Sequence, residues 1–130
     1  MSAGAEKFII ERLRQSDLSF GQKLRLVSIM IPQVDEVTGV VMVRSLLGSA
    51  LISKPTLKDL YDLCEVSGSM ETLHEYLRGF FLVEDVERAR IEMAERLDEV
   101  IIYRMSQKRG GRQDLRLKQT IADYLLRARN

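Results

Sequence analysis

The chain has 130 residues, 30% of them charged, and a formal net charge of +1. This length predicts one domain with a core of its own, and the small net charge excludes a global electrostatic attraction to nucleic acid. The only cysteine, Cys64, excludes a disulfide framework within the chain, which favours a reducing, cytoplasmic setting. With two prolines and no tryptophan, the composition predicts an all-α fold, a compact bundle of about six to seven helices.

The first elements are two amphipathic helices. Residues 5–14 place Phe8, Ile9, Ile10 and Leu13 on one apolar face. Ser19 is placed to cap a second helix, which runs to about residue 31 and ends before Pro32 because a residue that precedes proline leaves the helical region.

Residues 37–52 (VTGVVMVRSLLGSALI) carry one charge, Arg44, and their apolar residues do not keep to one face. A helix that is apolar all round belongs inside a domain, so we predict a buried central helix capped by Asp35. The alternative is a buried strand at 40–43 that pairs with residues 25–31; the length of the run favours the helix. The run falls short of the roughly 20 residues that a bilayer requires, so we expect no membrane contact.

Two short helices and one long helix follow. Ser53 is expected to cap the first, residues 66–69 form a turn, and the second covers 70–78 with His74 exposed. After an apolar connector at 80–83, residues 84–105 form a helix of roughly 33 Å. Ile91 and Ile102 lie off its main apolar stripe and suggest a second contact surface.

The last 24 residues are predicted to be a basic loop, 107–113, and a helix, 115–127, capped by Asp114. We therefore divide the chain into a helical bundle domain at 1–106 and a segment at 107–130, the loop and the C-terminal helix, that packs on the same domain. The pair Gly110 and Gly111 is the candidate hinge between them.

Residues 56–83 combine two short helices, a turn at 66–69 and the segment GFFLV. This unit resembles a helix-turn-helix, with the segment at 79–83 similar to the entry to a wing in winged-helix regulators. The resemblance implies DNA binding through the second helix. Residues 53–83, however, carry three positive and five negative side chains, the wrong sign for a surface that faces phosphates.

A second resemblance covers residues 8–80. The segments LRLVSIMIP, VRSLLGSALIS, TLKDLYDLCE and METLHEYLRG are similar to six-helix adaptors of the death-effector type. The resemblance implies a small helical bundle.

Charge is distributed unevenly along the chain. Residues 104–130 contain eight positive and two negative side chains, so the rest of the chain is acidic. This basic segment has three alternative roles: a solvated tail or one that docks on an acidic face of its own chain or a second copy, a site for an acidic protein, or a nucleic-acid contact. No aromatic residue lies between 108 and 118, so base stacking is not expected there.

No pattern of residues indicates catalysis, a metal site or a cofactor. One histidine and one cysteine cannot supply a zinc site, and Gly110 and Gly111 lack the preceding strand of a phosphate-binding loop. The sequence therefore predicts a non-enzymatic helical protein–protein interaction module, a small adaptor or a subunit of a larger assembly, that binds another protein or a second copy of itself. The alternative is a nucleic-acid-binding protein that uses residues 56–83 or the basic arm at 104–129. We expect no small-molecule substrate, and the predicted contact residues are Lys108, Arg109, Arg112, Arg116, Lys118, Phe80, Phe81, Ile91 and Ile102.

Overall fold

The computed structural model describes residues 3–15 and 17–130, of which 81% are helical and none is in a strand. The helices are α1 (Ala3–Arg14), α2 (Phe20–Met30), α3 (Glu36–Ser53), α4 (Leu57–Gly68), α5 (Glu71–Phe80), α6 (Arg88–Ser106) and α7 (Gly111–Ala128), and a short 3-10 helix (Ile31–Gln33) follows α2. The predicted all-α fold is confirmed, and the strand at 40–43 is wrong because these residues lie inside α3. Residues 1, 2 and 16 of the predicted domain lie outside the described residues.

Local capping signals set the starts of α2 and α3. The Ser19 hydroxyl accepts a hydrogen bond from the Gln22 backbone N–H at 3.1 Å, and the Gln22 side chain accepts one from the Ser19 N–H at 2.8 Å. The Asp35 carboxylate accepts from the Thr38 N–H at 2.8 Å, which lowers the pKa of Asp35 below its ordinary value. Both predicted caps are therefore confirmed.

The central helix α3 packs against α1, α2, α5 and α6, but it is not buried all round. About a third of its residues are buried, and these form one face that contains Met42, Leu46 and Leu47. Val37 and Ile52, near its two ends, are 74% and 86% exposed. The expectation of complete burial is corrected because a domain of this size leaves roughly a third of its surface in water, so apolar composition alone does not enclose a helix.

The helix α3 is also long and apolar enough to cross a membrane, by length and composition alone. The core helix of a soluble protein meets the same criteria, and α3 contacts four other helices of the bundle. The chain thus has the organisation of a soluble helical protein.

Several predicted boundaries move. Ser53 is the last residue of α3, and Thr56 caps α4 by accepting from the Asp59 N–H at 3.1 Å. The turn predicted at 66–69 is shorter, because α4 continues to Gly68 and the buried Ser67 hydroxyl donates to the Cys64 carbonyl.

The long helix α6 begins at Arg88 rather than at residue 84. The Asp85 carboxylate accepts from the Glu87 N–H at 2.9 Å, and the Tyr124 hydroxyl donates to the Asp85 carbonyl at 2.6 Å. These bonds occupy backbone groups that a helix would need, so the segment before Arg88 stays non-helical.

The helix α7 packs against α4, α5 and α6. Its N-cap is Gly110, so Asp114 lies in the first turn and does not cap the helix as predicted. Gly110 has φ +90°, a conformation that favours glycine. The Asp114 side chain is buried against Arg104 of α6 instead.

Cys64 lies in the core on α4 and has no exposed surface. Burial raises the pKa of its thiol to about 12, and the nearby Asp114 carboxylate acts in the same direction. The thiolate, which is the reactive form of cysteine, is therefore absent at neutral pH.

Candidate interaction surfaces

A groove of about 500 Å³ separates α3 from α5. The two helices are close at Gly39, where an added Cβ atom would lie 3.1 Å from the Tyr76 ring. The Tyr76 hydroxyl also donates to the Glu36 carbonyl at 3.3 Å and fastens α5 to the first turn of α3. The groove follows α3 as far as Leu51, and a Cβ atom added at Gly48 would meet none of the described residues within 4 Å.

The lining of this groove is mainly apolar. One wall comes from α3, and the other comes from α5, the connector after it and the start of α6. The lining residues are Val40, Val43, Arg44, Leu47, Gly48, Leu51, Glu75, Tyr76, Gly79, Phe80, Val83 and Arg90. We call this surface the α3–α5 groove.

Two helical glycines border the α3–α5 groove: Gly48 in the interior of α3 and Gly79, the next-to-last residue of α5. Neither has a positive φ, and a Cβ atom added at either would meet nothing within 4 Å. A glycine in a helix interior costs about 1 kcal/mol relative to alanine, and Gly48 carries this cost. The packing of the described residues offers no compensation for this cost, in contrast to Gly39.

Phe80 and Phe81 were predicted to form one apolar contact, but the structure separates them. Phe81 has no exposed surface and packs edge-to-face against Tyr124 with ring centroids 5.7 Å apart, so its assignment as a contact residue is corrected. Phe80 is half-buried and lines the groove, with the Arg90 guanidinium 3.9 Å above its ring. The two residues predicted to form a second contact surface on α6 also differ in exposure: Ile91 is half-buried, and Ile102 is 51% exposed.

A second cavity, of about 410 Å³, lies between α4 and α6. Its lining is almost entirely apolar and includes Leu57, Val100 and the rings of Tyr61 and Tyr103, which meet edge-to-face at 6.3 Å. Among the described residues that line it, the charged side chains are those of Lys58, which pairs with Asp62, and Glu99.

The basic segment lies against acidic residues of its own chain. Arg116 bonds to Glu71 at 3.2 Å and to Glu75 at 3.0 Å, and Lys118 bonds to Asp98 at 3.0 Å. Arg109 reaches Glu65 of α4 at 3.5 Å and Arg129 reaches Glu95 of α6 at 3.2 Å. Of the alternatives raised by the sequence, docking on the chain's own acidic face describes this arrangement.

Two of the predicted contact cations remain outside this network. Lys108 and Arg112 are exposed and form no ion pair with any described residue. Lys108 lies in the turn between α6 and α7 with a left-handed backbone of φ +59°, and Arg112 lies in the first turn of α7.

An ion network centred on Arg104 joins three helices. Both Arg104 and Asp114 are 2% exposed, and the guanidinium bonds to the carboxylate at 2.7 and 3.4 Å. The same guanidinium donates to Glu65 of α4 and lies 4.8 Å from the centre of the Tyr61 ring. Burial acts to lower the pKa of Arg104, but the hydrogen bonds to Asp114 and Glu65 raise it above its ordinary value. The Arg104 hydrogen bond lowers the pKa of Glu65.

The only histidine, His74, is buried in α5 rather than exposed as predicted. Neither ring nitrogen has a hydrogen-bond partner among the described residues. Burial lowers the pKa of His74 below its ordinary value; the carboxylates of Glu75 and Glu71 oppose this shift, whereas Arg116 and Arg78 reinforce it. The imidazole is therefore neutral in the folded chain at neutral pH.

We expect the stability of the protein to fall between pH 7 and pH 5 because of His74. The pKa of His74 is lower in the folded state than its ordinary value of 6.5, so the unfolded chain takes up this proton first as the pH decreases. The urea midpoint, followed by circular dichroism, should decrease over this range in the natural chain and change less in His74→Leu. Equal pH dependence in both proteins would contradict the prediction.

The helix-turn-helix-like unit is formed by α4 and α5. The exposed positions at the start of α5 include Glu71 and Glu75, which bind Arg116 of α7, and Glu71 also accepts from Gln113. The Gln113 hydrogen bond and Arg116 lower the pKa of Glu71, so this face of α5 is negatively charged. Base edges in DNA are mostly read by Arg, Lys, Asn or Gln, so this face lacks the required donors.

The fold and these surfaces define a small all-α bundle with an apolar groove on one side. In residues 3–15 and 17–130, no group of three or more His, Cys, Asp or Glu side chains is placed to hold a metal ion. Comparisons of the chain with protein-family models, with curated proteins and with solved structures found no match.

Proposed function

We propose that this chain is a non-enzymatic helical protein–protein interaction module, a small adaptor or a subunit of a larger assembly. The α3–α5 groove is the observation that carries the proposal, because its lining, which includes Phe80 and apolar residues of α3, is open to solvent. Apolar surface rimmed by polar residues is typical of a protein-binding site. The partner is another protein or a second copy of the chain, and the proposed location is the cytoplasm, which fits a free and buried Cys64.

Nucleic-acid binding is the second candidate function. The observation in its favour is that Lys108 and Arg112, at the turn between α6 and α7, remain without ion pairs among the described residues. Two cations support only a short phosphate contact, since each neutralised phosphate adds about one unit to the salt dependence of binding. The other cations of the basic segment would have to leave their own carboxylates first.

Light scattering coupled to size-exclusion chromatography distinguishes these functions. We expect the elution and mass of the pure chain to be unchanged by a duplex DNA at low salt. A mass of two chains would identify a second copy as a partner, and a mass of one chain would direct the search to another protein.

A shift with DNA that disappears as the salt concentration rises would contradict the proposal. The double variant Lys108→Glu/Arg112→Glu then serves as the test of the alternative, because neither residue supports the fold through an ion pair with a described residue. Arg116 is unsuitable for this purpose, since its reversal would place like charges beside Glu71 and Glu75.

A further inference from the structure

We propose that the partner of the α3–α5 groove is an acidic amphipathic helix. This inference rests on the proposed function and specifies the chemistry of the binding partner. Its basis is the shape of the groove, the two glycines on its walls and the charge at its edge.

The shape of the groove fits a helix. Its lining follows α3 from Val40 to Leu51, a distance of about 17 Å, or three helical turns. An amphipathic helix of this length presents apolar side chains at i, i+3, i+4 and i+7 to such a surface. Phe80 and Val83 on the opposite wall continue the apolar lining, so side chains from one face of a helix meet apolar atoms on both sides.

The glycines allow a close approach. Gly48 and Gly79 stand on opposite walls, and space is open beyond the Cα atom of each. Small residues at such positions let the backbone of a second helix come near. A side chain at either position would narrow the groove, and at Gly48 it would also improve helix propensity, so the sequence at Gly48 favours an open groove over helix stability.

The charge at the groove selects acidic residues. Arg44 is exposed on the α3 wall and forms no ion pair or side-chain hydrogen bond with a described residue. Arg90, at the far end, donates to the Phe80 carbonyl at 2.8 Å and approaches Asp85 at 3.7 Å. The one acidic residue of the lining, Glu75, is already engaged by Arg78 and Arg116. Since Asp85 already pairs with Arg90, the charge left for a partner is that of Arg44, and a carboxylate beside the apolar face of the bound helix complements it.

The test uses three synthetic helical peptides of about 16 residues, long enough to cover three turns. They share one apolar face and differ only in their charged positions, which are Glu, Gln or Lys. Binding to the full chain is measured by fluorescence anisotropy at low and at physiological salt. We expect the Glu peptide to bind about tenfold more tightly than the Lys peptide at low salt, with the difference shrinking as salt is added.

Groove-filling variants locate the binding site. Gly48→Leu and Gly79→Leu should each weaken binding of the Glu peptide at least about tenfold, while their urea midpoints stay equal to or above that of the natural chain. Gly68→Leu is the matched control: Gly68 also has open space around it and ends α4 outside the groove, so the same substitution should leave binding unchanged. Arg44→Glu should reverse the preference between the Glu and Lys peptides.

Each contrary result would overturn a specific part of the proposal. Equal affinity for all three peptides would remove the acidic preference, and binding that survives both groove-filling variants would place the site elsewhere. Failure of every peptide to bind would overturn the assignment of the groove. The proposed function itself fails by a different result, the salt-sensitive DNA complex described above.

Discussion

Replacing Asp114 with alanine is expected to lower the free energy of unfolding by about 3–5 kcal/mol, because it leaves the Arg104 guanidinium buried without its main counter-charge. The remaining carboxylate partner, Glu65, is half exposed and cannot take over both hydrogen-bonding edges. Urea denaturation followed by circular dichroism measures the loss. The loss should be among the largest for any single substitution in the chain, since α4, α6 and α7 all meet at Arg104.

The ion pair between Asp98 and Lys118 is the matched control. It joins the same two helices, α6 and α7, but its carboxylate and ammonium side chains are 27% and 32% exposed. Asp98→Ala should cost no more than about 1 kcal/mol, because water screens a pair that reaches the surface. A similar loss of unfolding free energy in both variants would show that burial does not increase the contribution of the Arg104–Asp114 pair to stability.

The apolar replacement Arg104→Met/Asp114→Leu should recover much of the stability lost in Asp114→Ala. Buried ion pairs are often matched or exceeded by well-packed apolar residues, whereas a single unpaired charge is costly. If the double variant is less stable than Asp114→Ala, the network contributes more than mutual neutralisation.

The second large effect is expected at Gly110, where Gly110→Ala should destabilise the chain by several kcal/mol, on the order of 3. Its φ is +90°, outside the range that residues with a Cβ atom readily adopt, and the added Cβ would lie 2.1 Å from the Asp114 carboxyl group. The substitution must therefore move the backbone of the turn or push Asp114 away from Arg104. The free energy of unfolding, obtained from a urea titration, reports the sum of both costs.

Gly111 is the control for backbone strain alone. It also has a positive φ, +57°, but a Cβ atom there would meet nothing within 4 Å. We expect Gly111→Ala to cost about 1–2 kcal/mol. A double-mutant cycle tests the carboxyl part of this clash, since Gly110→Ala should cost less when Asp114 is already alanine; the Cβ atom at position 114, 2.6 Å from the added Cβ, remains. Additive losses at the two positions would show that contact with the Asp114 carboxyl group is not the cause.

Features of the fold that depend on neighbouring residues could be predicted from the sequence. The caps at Ser19 and Asp35 use partners three residues along the chain, and both helix starts were predicted correctly. The reading of Asp114 as a cap was wrong for the complementary reason. Its partner, Arg104, belongs to the preceding helix, and a buried ion pair outweighs a cap that glycine can replace.

Burial proved harder to predict because it depends on which helix covers which face. His74 was placed at the surface since polar residues usually lie there, yet its helix packs against α3, α4 and α7. Phe80 and Phe81 are adjacent and identical in type, so no pattern in the sequence could assign one to the groove and the other to the core. The groove itself depends on how α3 and α5 pack, with a close contact between Gly39 and Tyr76 and open space at Gly48 and Gly79, and this packing joins residues far apart in the sequence.

The charge asymmetry between residues 104–130 and the rest of the chain did indicate one feature of the fold, the docking of basic residues on acidic ones. A basic segment followed an acidic body, and the structure places several of its cations, Arg116 and Lys118 among them, on carboxylates of that body. The sequence could not identify the pairs, because they connect residues that lie 20 to 45 positions apart.

The burial of Cys64 makes the reactivity of its thiol a measure of how often the bundle opens. Because the thiol is fully enclosed and its pKa is about 12, an alkylating reagent in solution can modify it only after α4 separates from its neighbours. The rate of modification under native conditions therefore measures how often this part of the bundle opens, without any denaturant. Because the chain has a single cysteine, the modification rate has one source. A helix bound in the α3–α5 groove would stabilise the folded chain and so lower the modification rate of Cys64, which lies outside the groove.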